Sequence, residues 1–320
     1  VPDITIKKSL EIKYDFILKN KDFGNAYCIH YWEHSNWPRT NILNKYYKFI
    51  SPKIKITSIN ICGLYRNNSS YLEKYFIPKL IKLEEIYPFI EFYYYFYEND
   101  STDNTKYILS EFAVNRECQV LTEINDSKLF KRNTNKKRII NISNCRNKLL
   151  SLRPFKGEWS LMIDSDIEFP ANLISRFICK ILPDDLIALS CNGKDHIKCL
   201  KHKDCYHYYD ILALIDSYDV SGYNYNVKHN SQCCQLSPFN DRKNWFNNNL
   251  VKVKSAFGGL TFYKTNIINN ENIKYYVNNG IKFIKTRKNI FCEHHGFCNK
   301  LNEKGSIYID PSMTVFLNNK

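Results

Sequence analysis

Asp164-Ser165-Asp166 closes the apolar run Trp159-Ser160-Leu161-Met162-Ile163. Two carboxylates two residues apart, where a buried strand runs out into a loop, form a site for a hard divalent cation. Such a cation takes oxygen ligands and keeps positions open for phosphate oxygens, so the chemistry suggested is the binding of a diphosphate. The triplet alone is a weak signal, because acids also cap helices. Pro170 opens an amphipathic stretch over 171–181 whose N-terminus one of these acids would decorate. Position weighs against that reading, since ligands of open α/β sheets gather at the carboxyl ends of buried parallel strands.

The elements that must position the triplet follow from the pattern around it. Phe92-Tyr93-Tyr94-Tyr95-Phe96-Tyr97 is rich in strand-forming aromatics and ends in Glu98-Asn99-Asp100-Ser101-Thr102-Asp103-Asn104-Thr105, before a helical pattern over 106–112. Short carboxylate and amide side chains can grip a base and ribose; taken singly, an Asx-rich turn with Asp103 as an N-cap is the better reading. Two such loops at one sheet edge shift the balance. Residues 55–62 alternate as a strand and lead through Gly63-Leu64-Tyr65-Arg66-Asn67-Asn68 into a helical stretch over 71–86. A strand over 118–124 and a helix over 138–152, with Ile139, Ile142, Leu149 and Leu150 on its apolar positions, continue the series. The alternation from 55 to 192 predicts an α/β fold: a mainly parallel central sheet, helices on both faces, Rossmann-like.

This series, with Asn144-Cys145-Arg146-Asn147 on a helix before the metal motif, resembles the nucleotide-sugar-dependent glycosyltransferases of the A-type fold. Family 2-like enzymes share the pattern, and the fungal capsule and mannan mannosyltransferase group is the most similar. There, an acidic Asn-Asp-Ser loop, an Arg-Asn helix and a strand-end metal motif occur in the same order. Tyr208-Tyr209-Asp210-Ile211-Leu212-Ala213-Leu214 and Ser255-Ala256-Phe257-Gly258-Gly259-Leu260-Thr261-Phe262-Tyr263 extend the resemblance, which covers about residues 55 to 300. It implies transfer of a hexose from UDP- or GDP-hexose to an acceptor hydroxyl on a glycan or glycoprotein, with Mn²⁺, or alternatively Mg²⁺, bridging the diphosphate. By the same resemblance, Glu98, Asp100 and Asp103 serve nucleoside recognition with Arg66 beside them, and Asp100 is the principal contact. Asp166 is the main metal ligand, and Asp164 binds through water or touches the ribose. Arg146 pairs with Asp164 or with phosphate, a solvated helix face being the structural alternative. Gly258 and Gly259 permit close approach of backbone to the donor, or else form a tight strand entry.

In Cys292-Glu293-His294-His295-Gly296-Phe297, adjacent histidines on a strand would point to opposite sides, so only one would reach the ion. His294 is favoured, because in the family a histidine follows an acidic residue in a late motif. Oxygen and nitrogen donors together with phosphate suit Mn²⁺ better than Zn²⁺. For a general base, Asp210 and Glu293 lead, with Asp216 and Asp241 as further candidates, and spacing isolates none of them. Stereochemistry is left open.

The 320 residues suffice for one large α/β domain, and no Pro/Gly/Ser-rich linker divides them. Residues 1–50, with Trp32, Trp37, Tyr46 and Tyr47, read as an N-terminal extension. Residues 51–320 read as the catalytic domain, 51–192 its nucleotide-sugar half and 193–320 its acceptor half. The formal charge of +14 exceeds what a diphosphate needs and suggests an anionic partner such as a membrane surface; its densest cluster is Lys131-Arg132 with Lys136-Lys137-Arg138. Nucleic acid is set aside, since no recognised module or basic-aromatic repeat occurs and the aromatics fall in predicted strands. Twelve cysteines without a Cys-x-x-Cys pair argue against structural zinc, and Cys62 and Cys191 fall in predicted buried strands. The sequon at Asn99 lies inside the proposed nucleotide loop, which favours a cytoplasmic setting or a cytoplasmic viral factory, in keeping with a composition typical of AT-rich genomes. A Golgi lumen is the alternative if an anchor precedes Val1. The competing function is a basic glycan- or nucleic-acid-binding protein on the same fold without turnover. A nucleotidyltransferase lacks support, because no Gly-rich phosphate loop is present.

Overall fold

The computed structural model describes residues 56–125, 136–178, 180–197, 205–222, 242–277, 281–282 and 289–318. The described residues divide between two compact units, 172–178 with 180–181 belonging to the first and the rest to the second. In the first, the described part holds the short helix named α4 below. The expected 1–50 extension, Lys131, Arg132, Cys199, Cys233, Cys234 and Asp241 lie outside the described residues.

In chain order the elements are β1 (Ser58–Tyr65), helix α1, β2 (Glu91–Asn99), α2 (Thr105–Ala113), β3 (Cys118–Glu123), α3 (Lys136–Leu150), β4 (Trp159–Ile163), β5 (Ile167–Glu168) and α4 (Leu173–Ile178). There follow β6 (Leu186–Ile197), β7 (Cys205–Tyr208), β8 (Ile215–Asp216), α5 (Arg242–Phe246), β9 (Val251–Ser255), β10 (Leu260–Lys264) and α6 (Thr265–Ile268). The series ends with β11 (Ile281–Lys282), β12 (Asn289–Ile290), α7 (Glu293–Asn302) and β13 (Ser306–Leu317). Helix α1 runs as Ser69–Tyr71, a π-helical turn Leu72–Phe76, and Ile77–Ile86.

The expected α/β sheet with helices on both faces is present, in the order β3-β2-β1-β4-β10-β6-β13-β9-β8. Strands β3, β2, β1 and β4 are parallel throughout. Beyond β4 the sheet is mixed: β10 runs antiparallel to both β4 and β6, and β13 is parallel to β6 but antiparallel to β9. The mainly parallel arrangement thus holds for the first half of the sheet.

Alternation decides which face each side chain covers. Tyr65, Tyr94 and Phe96 point to one face, where Phe76 of α1 and Phe112 of α2 meet them; the Tyr94 and Phe112 ring centroids are 4.9 Å apart. Cys62, Tyr95, Met162 and Tyr263 point to the other, against Leu149 and Leu150 of α3 and Phe297 and Leu301 of α7. Tyr94, Tyr95, Phe96 and Tyr97 of β2 are therefore core residues, each contributing about 1.5–3 kcal/mol by burial. Cys62 and Cys191 are buried, as expected.

Candidate active site

The site lies where β1, β2 and β4 end together. Asp164 leaves β4 with its N–H donating to the Gly259 carbonyl at 2.9 Å. The turn after it is held from four sides. Asn318 N–H donates to the Asp166 carbonyl at 2.7 Å, the Asn68 amide donates to the Ser165 carbonyl at 3.4 Å, and the Tyr71 hydroxyl donates to the Ile167 carbonyl at 2.6 Å. One turn on, the Tyr75 hydroxyl donates to the Phe169 carbonyl and accepts from the Phe169 N–H. Tyr71 and Tyr75 are four residues apart on one helix, so both face the loop, and the π-helical turn between them adjusts the spacing. Neither tyrosine was singled out from the sequence; the i, i+4 aromatic spacing was the available signal.

Behind the turn, the guanidinium of Arg146 is almost fully buried and holds two acids at once. Its Nη2 lies 3.0 Å from Asp164 Oδ1 and its Nε 3.1 Å from Glu293 Oε1. It lies 4.8 Å from the Phe257 ring and 5.5 Å from that of Tyr275, so cation–π contacts add to the two ion pairs. Of the alternatives for Arg146, pairing with Asp164 is the one the structure shows. Burial alone would disfavour its charge, but Asp164 and Glu293 outweigh that and raise its pKa well above the ordinary range.

The acids around it are strained electrostatically. Burial pushes the Asp164 carboxyl up, and Arg146 only partly opposes this. Asp166 is exposed on the rim, yet local desolvation and the charge of Asp164 raise its carboxyl to about 7. Asp210, whose Oδ2 accepts from the Gly258 N–H at 3.3 Å, is also raised to about 7 by burial, then by Asp164 and Glu293. Burial and then the charges of Asp164, Asp166 and Asp210 raise the Tyr209 phenol, which the sequence reading had left unassigned.

Other expected residues are placed differently. Cys292–Phe297 is not a strand: Glu293 opens the helix α7, so the opposite-sides argument for the two histidines does not apply. Both are buried in the helix that packs Phe297 and Leu301 into the core. The His294 ring stacks on Phe257 at 4.3 Å, with Nε2 3.5 Å from Glu293 Oε1 and Nδ1 without a hydrogen-bond partner among the described residues. Burial, then Arg146 and His295, hold it neutral, well below the ordinary histidine range. Burial takes His295 down to about 4. Asp216 is committed to a turn, its Oδ1 accepting from the N–H groups of Tyr218 and Val220 at 2.9 and 2.8 Å.

At the end of β2, Glu98 is buried and accepts from the Ser101 N–H at 2.9 Å. Asp100 takes a positive φ of 54°, accepts from the Asn125 N–H and the Asn99 amide, and lies 3.7 Å from Arg66. Asp103 ties two helix starts together. One of its oxygens accepts from the Thr105 N–H and hydroxyl, the other from the Ser69 N–H at 2.9 Å. Asn67 N–H donates to the Ser101 hydroxyl and the Thr102 N–H donates to Asn67 Oδ1, so the loops after β1 and β2 are interlocked. Gly258 and Gly259 both have positive φ, 63° and 77°. A Cβ on Gly258 would lie 2.2 Å from the Cys191 carbonyl oxygen, so close approach there is to neighbouring backbone.

Oxygens of Asp164 and Asp166 suit a hard cation that keeps water or phosphate ligands. Among the described residues, no three His, Cys, Asp or Glu side chains converge on one point. His294 stacks on Phe257, and the two aspartates stand in the turn without it.

No family model and no curated protein matches the chain. Among solved structures it is similar to S. aureus TarS residues 1–349, at 15% identity and TM-score 0.44, over 81% of this chain and 60% of that one. The same protein in complex with UDP-GlcNAc aligns at 16% identity and TM-score 0.44, over 82% and 59%. GalNAc-T7 with UDP, GalNAc and Mn²⁺ aligns at 14% identity and TM-score 0.48, over 82% and 44%. The chain thus spans about three-fifths or less of these proteins.

Proposed function

We propose that this chain transfers a hexose from a nucleoside-diphosphate sugar, UDP- or GDP-linked, to an acceptor hydroxyl on a glycan or glycoprotein. The observation that carries the reading is the braced Asp164-Ser165-Asp166 turn at the carboxyl end of a central strand, with crowded carboxylates beside two interlocked polar loops. Asp164 and Asp166 would hold Mn²⁺ or Mg²⁺, with His294 as the candidate nitrogen donor. When bound, such a cation neutralises charge developing on the leaving diphosphate.

The chain's own residues account for the rest of the reading. Arg146 fixes Asp164 and Glu293 and keeps one Asp164 oxygen turned inward. Arg66, Glu98 and Asp100 face the nucleoside, while Asp103 supports that loop by holding the starts of α1 and α2 together. Gly258 and Gly259 shape the turn that pins Asp164 and Asp210. Asp210 is the candidate base, since a carboxyl near 7 can accept the acceptor's proton at neutral pH. Glu293, held by Arg146, is the second catalytic candidate.

The test is titration calorimetry of UDP and GDP, with and without Mn²⁺, on the wild type and Asp166→Ala. The expected result is affinity for one nucleotide that depends on Mn²⁺ and is lost in the variant. Metal-dependent affinity unchanged in Asp166→Ala would overturn the site. The surplus charge of +14 favours the second reading, a binding protein without turnover. Release of free hexose from a bound donor over time would exclude it.

A further inference from the structure

Among the described residues, one cation near the same sheet edge has no counter-charge. Lys194 lies on β6 and is half-buried, and among the described residues it has no hydrogen bond or ion pair. Desolvation lowers its pKa, so the protein around it disfavours the charge it carries. A half-buried ammonium without an acid is costly to maintain unless something arrives to meet it.

The sheet fixes where that charge stands. β4 and β6 run in the same direction, because each is antiparallel to β10 between them. Met162, Thr261 and Ser190 are level with one another across the three strands. Further along β6, the Tyr209 N–H donates to the Gly193 carbonyl at 2.8 Å, so Lys194 follows directly on the backbone that meets the Tyr209-Asp210 segment. Alternation along β6 puts Ser190, Asn192 and Lys194 on the face shared by Met162. Tyr208, opposite Lys194 on β7, shares this face. On β13, Phe316 stands in register with both Lys194 and Glu168, separating the backbones of those two residues by two strand spacings, roughly 9–10 Å.

Lys194 therefore sits across β4 from the two loops that follow β1 and β2. On the glycosyl-transfer reading those loops hold the nucleoside, and the space on the β6 side belongs to the sugar and its acceptor. We infer that Lys194 receives an acid group, phosphate or carboxylate, carried by the acceptor, so that the site favours an anionic acceptor over a neutral one. This rests on the proposed transferase and adds the chemical class of its second substrate. It also gives part of the surplus positive charge a role at the site.

The test uses the whole chain with Mn²⁺ and the nucleotide that binds it. Affinities are compared for mannose 6-phosphate against mannose and for glucuronate against glucose, followed by saturation-transfer NMR. The expected preference for the anionic member of at least one pair is about 10-fold or more. Lys194→Gln should bring the pair to parity at unchanged nucleotide affinity, and Lys194→Arg should retain the preference. Equal binding of both members in the wild type, or a preference that survives Lys194→Gln, overturns the inference. A loss in Lys194→Gln confined to UDP-glucuronate against UDP-glucose puts the acid on the donor and also overturns it. Failure of UDP and GDP to bind the wild type removes the parent reading and this one together, and is seen before any sugar is added.

Discussion

The molecule places two acidic loops at one sheet edge and treats their carboxylates in opposite ways. Asp103, after β2, has donors on both oxygens. Burial works against its charge, but the hydrogen bonds from Thr105 and Ser69 prevail and bring its carboxyl down to about 2. Asp164 and Asp166, after β4, are crowded and desolvated, and both are raised, Asp166 to about 7. Residue type and position in the strand-loop-helix unit are alike; the supply of donors differs. A carboxylate already satisfied by N–H groups is holding the fold, whereas crowded carboxylates short of donors are the ones chemically suited to a cation.

The largest effect on this contrast should come from Arg146→Met, which removes the guanidinium from between two acids and leaves Asp164 and Glu293 without it. The expected loss is about 3–5 kcal/mol of folding stability in denaturant titration. Arg146→Lys should recover only part, because one ammonium cannot reproduce the two-pronged geometry. A loss below about 1 kcal/mol for the methionine variant would show that the acids behind the turn are not held as buried charges, and the contrast would fail.

Asp166→Asn comes next and separates binding from stability. Metal-dependent nucleotide affinity should fall by at least the ~10–100-fold that outer-shell losses cost at metal sites. Without metal, the melting temperature at pH 8 should stay level or rise. The sign follows from the raised carboxyl: the folded state holds the proton more tightly than an unfolded chain titrating near about 4, so stability falls as pH rises from there to about 7. The asparagine variant should lack that slope. A lower melting temperature at pH 8 would place Asp166 with Asp103 among the structural acids.

Asp103 gives the opposite slope. Its depressed carboxyl contributes stability that is present above about 4 and lost as pH falls toward about 2. Asp103→Ala should cost about 1–2 kcal/mol at neutral pH, the range for a lost helix cap, and flatten the acid limb of the stability profile. Nucleotide affinity should change less than in Asp166→Asn, since the loss acts through loop placement.

How much of this was legible depended on whether local signals sufficed. The strand ending at Asp164, the aromatic strand before Glu98 and the basic helix bearing Arg146 were readable because each carries its own period. The antiparallel β10 between β4 and β6 was not, because pairing between distant segments leaves no mark in either one. At Glu293-His294-His295-Gly296, the strand assumed for the two histidines is a helix; the i, i+4 pair Phe297 and Leu301 was the helical signal that burial reinforced. Asp103 and Asp164 could not be ranked by sequence, since what distinguishes them is donors from Ser69 and Arg146, 34 and 18 residues away.

The smallest predicted effect probes how finely the turn is held. Tyr71→Phe removes one hydroxyl and leaves the Ile167 carbonyl without that donor, at a cost of about 1 kcal/mol. Ile167 follows Asp166 directly, so metal-dependent nucleotide affinity should also drop, by a few-fold. Tyr75→Phe is the matched control: its hydroxyl serves both the N–H and the carbonyl of Phe169, three residues past Asp166, and both rings belong to the same helix. It should cost at least as much stability while changing affinity less. Equal affinity losses in the two variants would mean that the turn responds to general loosening of α1, whereas a loss confined to Tyr71→Phe would tie binding to the geometry of the residue next to Asp166.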